Sequence, residues 1–183
     1  DEIDRTSTEY LCEGLETARA DKRVSFYKVL HEAFTPDDLF REIVKKVYWV
    51  LNVAHRGTEF RVGYARRDGD ALIINYAMAA TEAAYPSHAI SLGDGKPYTA
   101  KIAYESAIAV YIASTKDEIA TGAAARFAPT YPGQDLGVLA SLACIPVSSL
   151  RKNSKLTVHG VLCIDTSVEH FFSEPRSRAL EPS

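Results

Sequence analysis

The sequence has few cysteines, one methionine, one tryptophan and no long apolar run. Its three cysteines, Cys12, Cys144 and Cys163, are too far apart for a metal-ligand pair, and their odd number argues against a disulfide framework. No apolar run approaches the roughly eighteen residues that span a bilayer, and no signal peptide opens the chain. We therefore expect a cytoplasmic segment that makes no membrane contact.

The sequence also lacks a strong excess of positive or negative charge. The 183 residues include 21 Lys and Arg against 24 Asp and Glu, and the net charge is −3. This balance gives no general attraction to phosphate backbones, so we expect no nucleic-acid partner. The hydrophobic content of 46% and charged content of 25% place the chain among globular proteins. Because the chain opens without Met and ends in polar residues, we interpret it as part of a longer protein.

The chain divides into a helix over residues 1–34, a folded domain over 35–173 and a polar tail over 174–183. From Ser7 to Phe34 there is no Pro and only one Gly, which predicts one long helix. Two interpretations stay open: the helix packs on its own domain, or it forms a homodimer that transmits signals. The second rests on positions at coiled-coil spacing, two of them polar: Leu11, Leu15, Ala18, Lys22, Ser25 and Val29.

A second helix is predicted to begin at Thr35-Pro36, with Thr35 as its N-cap. Apolar residues follow at helical spacing, and we interpret them all as core: Leu39, Phe40, Ile43, Val44, Val47, Val50, Leu51 and Ala54. A hairpin comes next, with alternating apolar residues over Phe60–Arg67 and Asp70–Met78 around an Asp68-Gly69 turn.

Short elements follow in the middle of the chain. They are a strand at Ala89 that enters a Gly-rich turn ending at Gly95, a helix over Tyr98–Ser106, a strand over Ala109–Ala113 and a helix over Lys116–Phe127.

Two apolar strands close the pattern, Ala140–Val147 and Val158–Asp165, and we expect them to be antiparallel neighbours. Cys144 and Cys163 would then lie next to each other as small core residues. Gly160 would allow another backbone or a ligand to approach closely. A final helix of a turn or two is predicted from Glu169, limited by Pro175.

The strand ending in Ile145-Pro146-Val147, a polar hairpin, and the run from Gly160 to Asp165 resemble the last two strands of a GAF domain. The resemblance extends from Pro36 to Phe172 and includes the Leu92-Gly93-Asp94-Gly95 turn. It implies an α+β, PAS-related fold with an antiparallel six-stranded sheet. Helices would pack on one face, a ligand pocket would lie on the other, and the long N-terminal helix would precede the domain.

The same resemblance implies a small-molecule-sensing regulatory domain of a signal-transduction protein, non-catalytic, that acts through ligand binding and dimerisation. No catalytic residue, metal ligand or cofactor is assigned. The aromatic faces and two cations near the expected pocket favour an anionic or aromatic metabolite. The candidate ligand-binding residues are Tyr64, Tyr76, Tyr98, Lys101, Tyr104 and Arg126.

Two alternatives stay open. One is a ligand-free module for dimerisation or protein interaction. The other is an enzyme on the same fold, such as a free methionine sulfoxide reductase, which uses cysteines beside the pocket. Ser91–Ser106 and Thr115–Gly137 contain no Cys, so we expect no enzymatic activity. Haem is disfavoured because no motif positions any histidine: His55, His88, His159 or His170.

Overall fold

We describe the protein from a computed structural model. The structure describes residues 36–79, 89–122, 125–130, 134–150 and 156–173. The predicted helix over 1–34, its dimer seam and the tail over 174–183 lie outside these ranges. The chain divides into two units, Asp1–Ile43 and Val44–Ser183. Within the described ranges, no helix combines the length and the apolar character needed to cross a bilayer.

The first described helix, α1, covers Pro36–Ala54 and so begins at the predicted proline. The prediction that its whole apolar stripe is core was wrong. Val44 is 1% exposed, but Leu39 is 51% exposed and Val50 66% exposed. The physical reason is that the apolar positions spread around more of the helix than one contact face can cover.

Among the described residues, six strands form one antiparallel sheet in the order β3-β2-β1-β6-β5-β4, which confirms the predicted α+β fold. Two short helices also occur: α2 (Thr99–Ser106) follows β3 in the sequence, and α3 (Thr115–Ala120) follows β4. The strands are β1 (Phe60–Asp68), β2 (Ala71–Met78), β3 (Ala89–Ser91), β4 (Val110–Ile112), β5 (Ser141–Leu150) and β6 (Leu156–Thr166).

The hairpin of β1 and β2 forms as predicted, but its turn lies one residue later than expected. Asp68 pairs with Ala71, so Gly69 and Asp70 are the turn residues. Gly69 has a φ of 57°, a value that costs glycine little. Asp68 therefore remains in the strand.

The central pair β5 and β6 also forms as predicted. Cys144 lies opposite Cys163, and their sulfur atoms are 3.7 Å apart. A Cβ atom added to Gly160 would lie 2.5 Å from both the Ala65 carbonyl oxygen and the Tyr64 hydroxyl oxygen. The predicted close approach at Gly160 is therefore confirmed, and the approaching backbone belongs to β1.

The two faces of the sheet carry different residues. We call the face that packs against α2 the α2 face, and the opposite one the reverse face. Because side chains alternate along a strand, Ala65 lies on the α2 face and Tyr64 on the reverse face. The buried cluster of the α2 face contains Ala65, Leu72, Ile90, Tyr98, Ala100, Ala103, Val110, Ile112, Phe127, Leu139, Leu142, Cys144, Val161 and Cys163.

Two predicted helices differ from the structure. The helix expected over Lys116–Phe127 ends at Ala120, because Gly122, directly after the cap residue Thr121, has a φ of 68°, a left-handed value typical of helix ends. The closing helix from Glu169 is a turn in which His170 has a φ of 61°, a left-handed value that cannot continue a right-handed helix. The His170 N–H instead donates to the Ala113 carbonyl at 2.6 Å.

Candidate functional site

Helix α2 brings the predicted ligand-binding residues to the sheet. The chain is extended at Tyr98, and the helix begins at Thr99. Ala100 and Ala103 are buried in the cluster of the α2 face, and α2 contacts β3, β4, β5 and β6. Small side chains at these two positions allow the helix to lie close to the strands, which also brings Lys101 near the sheet.

The turn before α2 forms a small polar cluster. The Tyr98 hydroxyl donates to Asp94 Oδ2 at 2.9 Å, and the Lys96 N–H donates to Asp94 Oδ1 at 3.0 Å. Desolvation opposes ionisation of Asp94, but these two donors and the charges of Lys101 and Lys96 lower its pKa overall. Desolvation and the Asp94 carboxylate raise the pKa of Tyr98.

Lys101 is the unusual member of this group because most of its side chain is buried. It is only 9% exposed, on a helix whose neighbouring buried residues are Thr99, Ala100 and Ala103. Nowhere in the described ranges does its ammonium group form a hydrogen bond or an ion pair, although the Asp94 charge acts on it at longer range. Its nitrogen is not fully enclosed, so the aliphatic stem is buried while the ammonium group reaches solvent.

The backbone of Arg126 contacts the first residue of α2. Its carbonyl oxygen accepts a hydrogen bond of 2.7 Å from the Thr99 hydroxyl. Its side chain is turned to α3, where Nε donates to Glu118 Oε1 at 2.8 Å. Arg126 therefore fixes the approach of its loop to α2 and already has a carboxylate partner.

The structure brings some of the predicted site residues together and separates others. Lys101 and Tyr104 lie on α2, Tyr98 directly precedes it, and Arg126 contacts the beginning of that helix. Tyr64 lies on the reverse face, so it does not join them. The sequence prediction grouped Tyr64 with the other residues because of its strand, without considering which face of the sheet its side chain occupies. Tyr76 is in β2, and its side chain lies outside the described part of the chain. Ligand binding by these residues stays a prediction.

Sequence reasoning missed three residues that shape this site: Asp94, Thr99 and Glu118. Asp94 had been assigned to a plain Gly-rich turn. The available signal was its position two residues before Lys96, where an aspartate commonly accepts a backbone hydrogen bond. Thr99 and Glu118 both form hydrogen bonds with Arg126, which lies 27 residues after Thr99 and 8 residues after Glu118, and no local pattern points to such contacts.

A second buried charged group lies on the α2 face near the end of β6. Asp165 is 5% exposed and accepts a hydrogen bond from Arg61 Nε. Desolvation raises the pKa of Asp165 to about 6, against the lowering effect of Arg61. Arg61 is its direct partner across the β1–β6 pair. The ionisation of Asp165 therefore makes the interaction between β1 and β6 sensitive to pH.

The described residues contain no group of three or more His, Cys, Asp and Glu side chains that could hold a metal ion. The histidines within these ranges have other contacts. His55 packs against the Phe171 ring at 4.9 Å between centroids, and His159 Nε2 lies 2.7 Å from Ser149 Oγ. His170 forms the turn after β6.

No protein-family model matches the sequence, and no curated protein matches it. Solved structures do resemble it. The GAF domain of an Acinetobacter phosphoenolpyruvate-protein phosphotransferase is 14% identical, with 92% of this chain and 82% of that chain covered and a TM-score of 0.47. The A. aeolicus nlh2 GAF domain is 20% identical, with 94% and 83% covered and a TM-score of 0.45.

Enzymes are also among the similar structures. The type II free methionine-R-sulfoxide reductase from Thermoplasma acidophilum is 17% identical, with 73% of this chain and 78% of that chain covered and a TM-score of 0.46. This finding corrects the prediction that the domain is not an enzyme. The similar structures include both enzymes and regulatory domains, so the resemblance does not imply that this chain lacks enzymatic activity. The resemblance predicted from the sequence is confirmed at the level of the fold, and the chain has a GAF-like fold.

Proposed function

We propose that the chain is a small-molecule-sensing regulatory domain of a signal-transduction protein, and that it binds an anionic ligand beside α2. The ammonium group of Lys101 supplies the charge that attracts the ligand. Tyr104 on the same helix and Tyr98 directly before it supply aromatic surface with a polar end. The ligand class is therefore a small anion, and an aromatic part would add contact area.

The observation that carries this proposal is the placement of Lys101: its aliphatic stem is buried on α2, while its ammonium group remains accessible to a ligand. Asp94 does not contact this ammonium group, and the Arg126 guanidinium is engaged with Glu118. A ligand anion in contact with Lys101 would form a charge-assisted hydrogen bond, which favours the bound state.

A ligand bound there would also influence the sheet. Helix α2 contacts four of the strands, and its Ala100 and Ala103 are part of the buried cluster. Any conformation in which α2 sits differently on the sheet would bind the ligand with a different affinity. The ligand then shifts the population toward the conformation it binds better, which is how a sensor transmits occupancy.

Thermal unfolding with small probes tests this proposal. Inorganic phosphate, citrate, adenosine monophosphate and uncharged adenosine are titrated against the protein, because ligand that binds only the folded state raises its midpoint. We expect at least one anion to raise the midpoint in a dose-dependent way and adenosine to have less effect than its monophosphate. In Lys101→Met, calorimetry should show affinity weakened by about 10- to 100-fold, the usual value of one charge-assisted contact.

Lys96→Met is the matched control, since Lys96 lies in the turn before the same helix but is exposed. It should retain binding. Equal shifts in Lys101→Met and the unsubstituted protein would contradict the role of Lys101. No response to any of the three anions would reject the anionic site and favour an interaction module.

A second candidate function, a homodimerising module, is favoured by an apolar surface on α1. Trp49, Val50 and Val53 are 68%, 66% and 57% exposed. Residues 49, 50 and 53 share one side of α1, and an exposed apolar helix surface of this kind is typical of an interaction site. We propose a second copy of this chain as the partner, which the oligomeric state tests.

A further inference from the structure

Cys144 and Cys163 form a buried pair in the centre of the sheet. They lie directly opposite each other on β5 and β6, and their sulfur atoms are 3.7 Å apart. Both are free thiols, 1% and 5% exposed. The Cys144 thiol donates toward the Cys163 sulfur, and the Cys163 thiol is directed to the Val161 carbonyl, so each sulfur is oriented within the pair.

The geometry of the pair is compatible with a covalent bond. A disulfide needs sulfur atoms about 2.05 Å apart and Cα atoms about 4.4–6.8 Å apart. Directly opposite residues of antiparallel strands have Cα atoms about 4.5–5.5 Å apart, which falls in that range. The two sulfurs must therefore approach by less than about 2 Å. On the other side of Cys163, its β1 partner is Gly63, which places no side chain beside the sulfur.

We propose that Cys144 and Cys163 are a redox-active dithiol, a modification site that hydrogen peroxide converts to a cross-strand disulfide. This inference is independent of the proposed ligand site. It concerns residues that the sequence indicated only as small core side chains. It needs no third ligand and no cysteine outside the sheet.

The chemistry has two balanced steps. One thiol, which we expect to be the slightly more exposed Cys163, reduces a peroxide molecule and becomes a sulfenic acid, with release of one water. The Cys144 sulfur then attacks the sulfenic sulfur. An S–S bond forms, the S–O bond breaks, and the thiol proton leaves with the hydroxyl group as a second water. The two electrons lost by the sulfurs reduce the peroxide.

The surroundings make the reaction selective and slow. The hydrogen bond with Cys163, then desolvation, then the nearby Asp165 charge raise the pKa of the Cys144 thiol well above its ordinary value. Thiolates are the reactive form, so bulky thiol reagents in solution should not modify the pair quickly. A small uncharged oxidant can enter a buried site that excludes larger molecules. We expect Cys163 to be oxidised first because it is the slightly more exposed of the two.

The bond would act on the same buried cluster that holds α2. Cys144 and Cys163 share this cluster with Ala100 and Ala103. Drawing β5 and β6 together at this point changes the surface on which α2 packs. Oxidation should therefore alter the stability of the folded domain and not only the mass of the chain.

The experiment uses the full chain with Cys12→Ser, which leaves the pair as its only cysteines. The folded protein is treated with excess hydrogen peroxide, remaining thiols are blocked with N-ethylmaleimide, and the intact mass and the peptides are measured without reductant. We expect loss of two hydrogen atoms, a peptide that links Cys144 to Cys163, and full reversal by dithiothreitol. The oxidised and reduced forms should differ in thermal midpoint.

Two further samples make the result decisive. The same protein unfolded in urea shows that the peroxide and the detection work, and Cys163→Ser should show no loss of hydrogen. A disulfide in the unfolded sample but not in the folded one would overturn the proposal. So would added oxygen atoms on the folded pair without a linked peptide, because that result means the sulfurs cannot meet.

Discussion

The ionisation of Asp165 gives a quantitative prediction about folding. Its carboxyl group is buried beside Arg61, and desolvation raises its pKa from 3.8 to about 6. In the unfolded chain it should titrate near its ordinary value of about 3.9. The folded state therefore binds the proton more tightly, and stability that is present at low pH is lost as the pH rises from about 4 to about 6.

The size of the effect follows from the shift. A difference of about two pKa units, at about 1.36 kcal/mol per unit, corresponds to about 3 kcal/mol of unfolding free energy. Asp165→Asn retains an acceptor for Arg61 but cannot ionise. The unsubstituted protein should thus lose about 3 kcal/mol relative to Asp165→Asn between a pH of about 4 and about 7.

Urea unfolding at several pH values measures this difference. Circular dichroism is the suitable signal, because Trp49 is 68% exposed and its emission should change little on unfolding. Asp70→Asn is the control, since the Asp70 side chain is fully exposed at 100%. A stability relative to Asp165→Asn that stays constant with pH would contradict the raised pKa of Asp165. If the unsubstituted protein instead gains stability relative to Asp165→Asn as the pH rises, the attraction of Arg61 exceeds the cost of desolvation.

Two other substitutions test the packing and the proposed dimer. Gly160→Ala should lower the unfolding free energy by about 1–3 kcal/mol because its Cβ would meet two oxygen atoms of β1 at 2.5 Å. Gly93→Ala, where nothing lies within 4 Å, should be nearly neutral in the same urea titration, and equal effects would contradict the argument. For the dimer, sedimentation should give twice the monomer mass for the unsubstituted protein and the monomer mass for Val50→Asp. An unchanged mass for Val50→Asp would reject α1 as the interface.

Sequence patterns predicted the sheet well because strand pairing depends on local signals. Alternation and the nearby Gly69 identified the first hairpin, and two apolar runs identified β5 and β6. The same pattern predicted that Cys144 and Cys163 would be neighbours, since a defined register places their side chains on one face. Prediction was weaker for the short helix α3, which ends before the left-handed Gly122 although helix-forming alanines continue beyond that glycine.

The candidate site was harder to predict because its decisive property is burial, which a sequence does not contain directly. Lys101 was chosen for its charge and its place on the expected helix, but its 9% exposure depends on how closely α2 approaches the strands. That approach depends in turn on Ala100 and Ala103, which carry no chemical signal of a site. Tyr64 shows the converse. It has suitable chemistry and lies on a central strand, yet alternation places it on the reverse face. The side of the sheet on which a strand residue lies therefore decides whether it can join the residues of α2, and its chemical type alone does not.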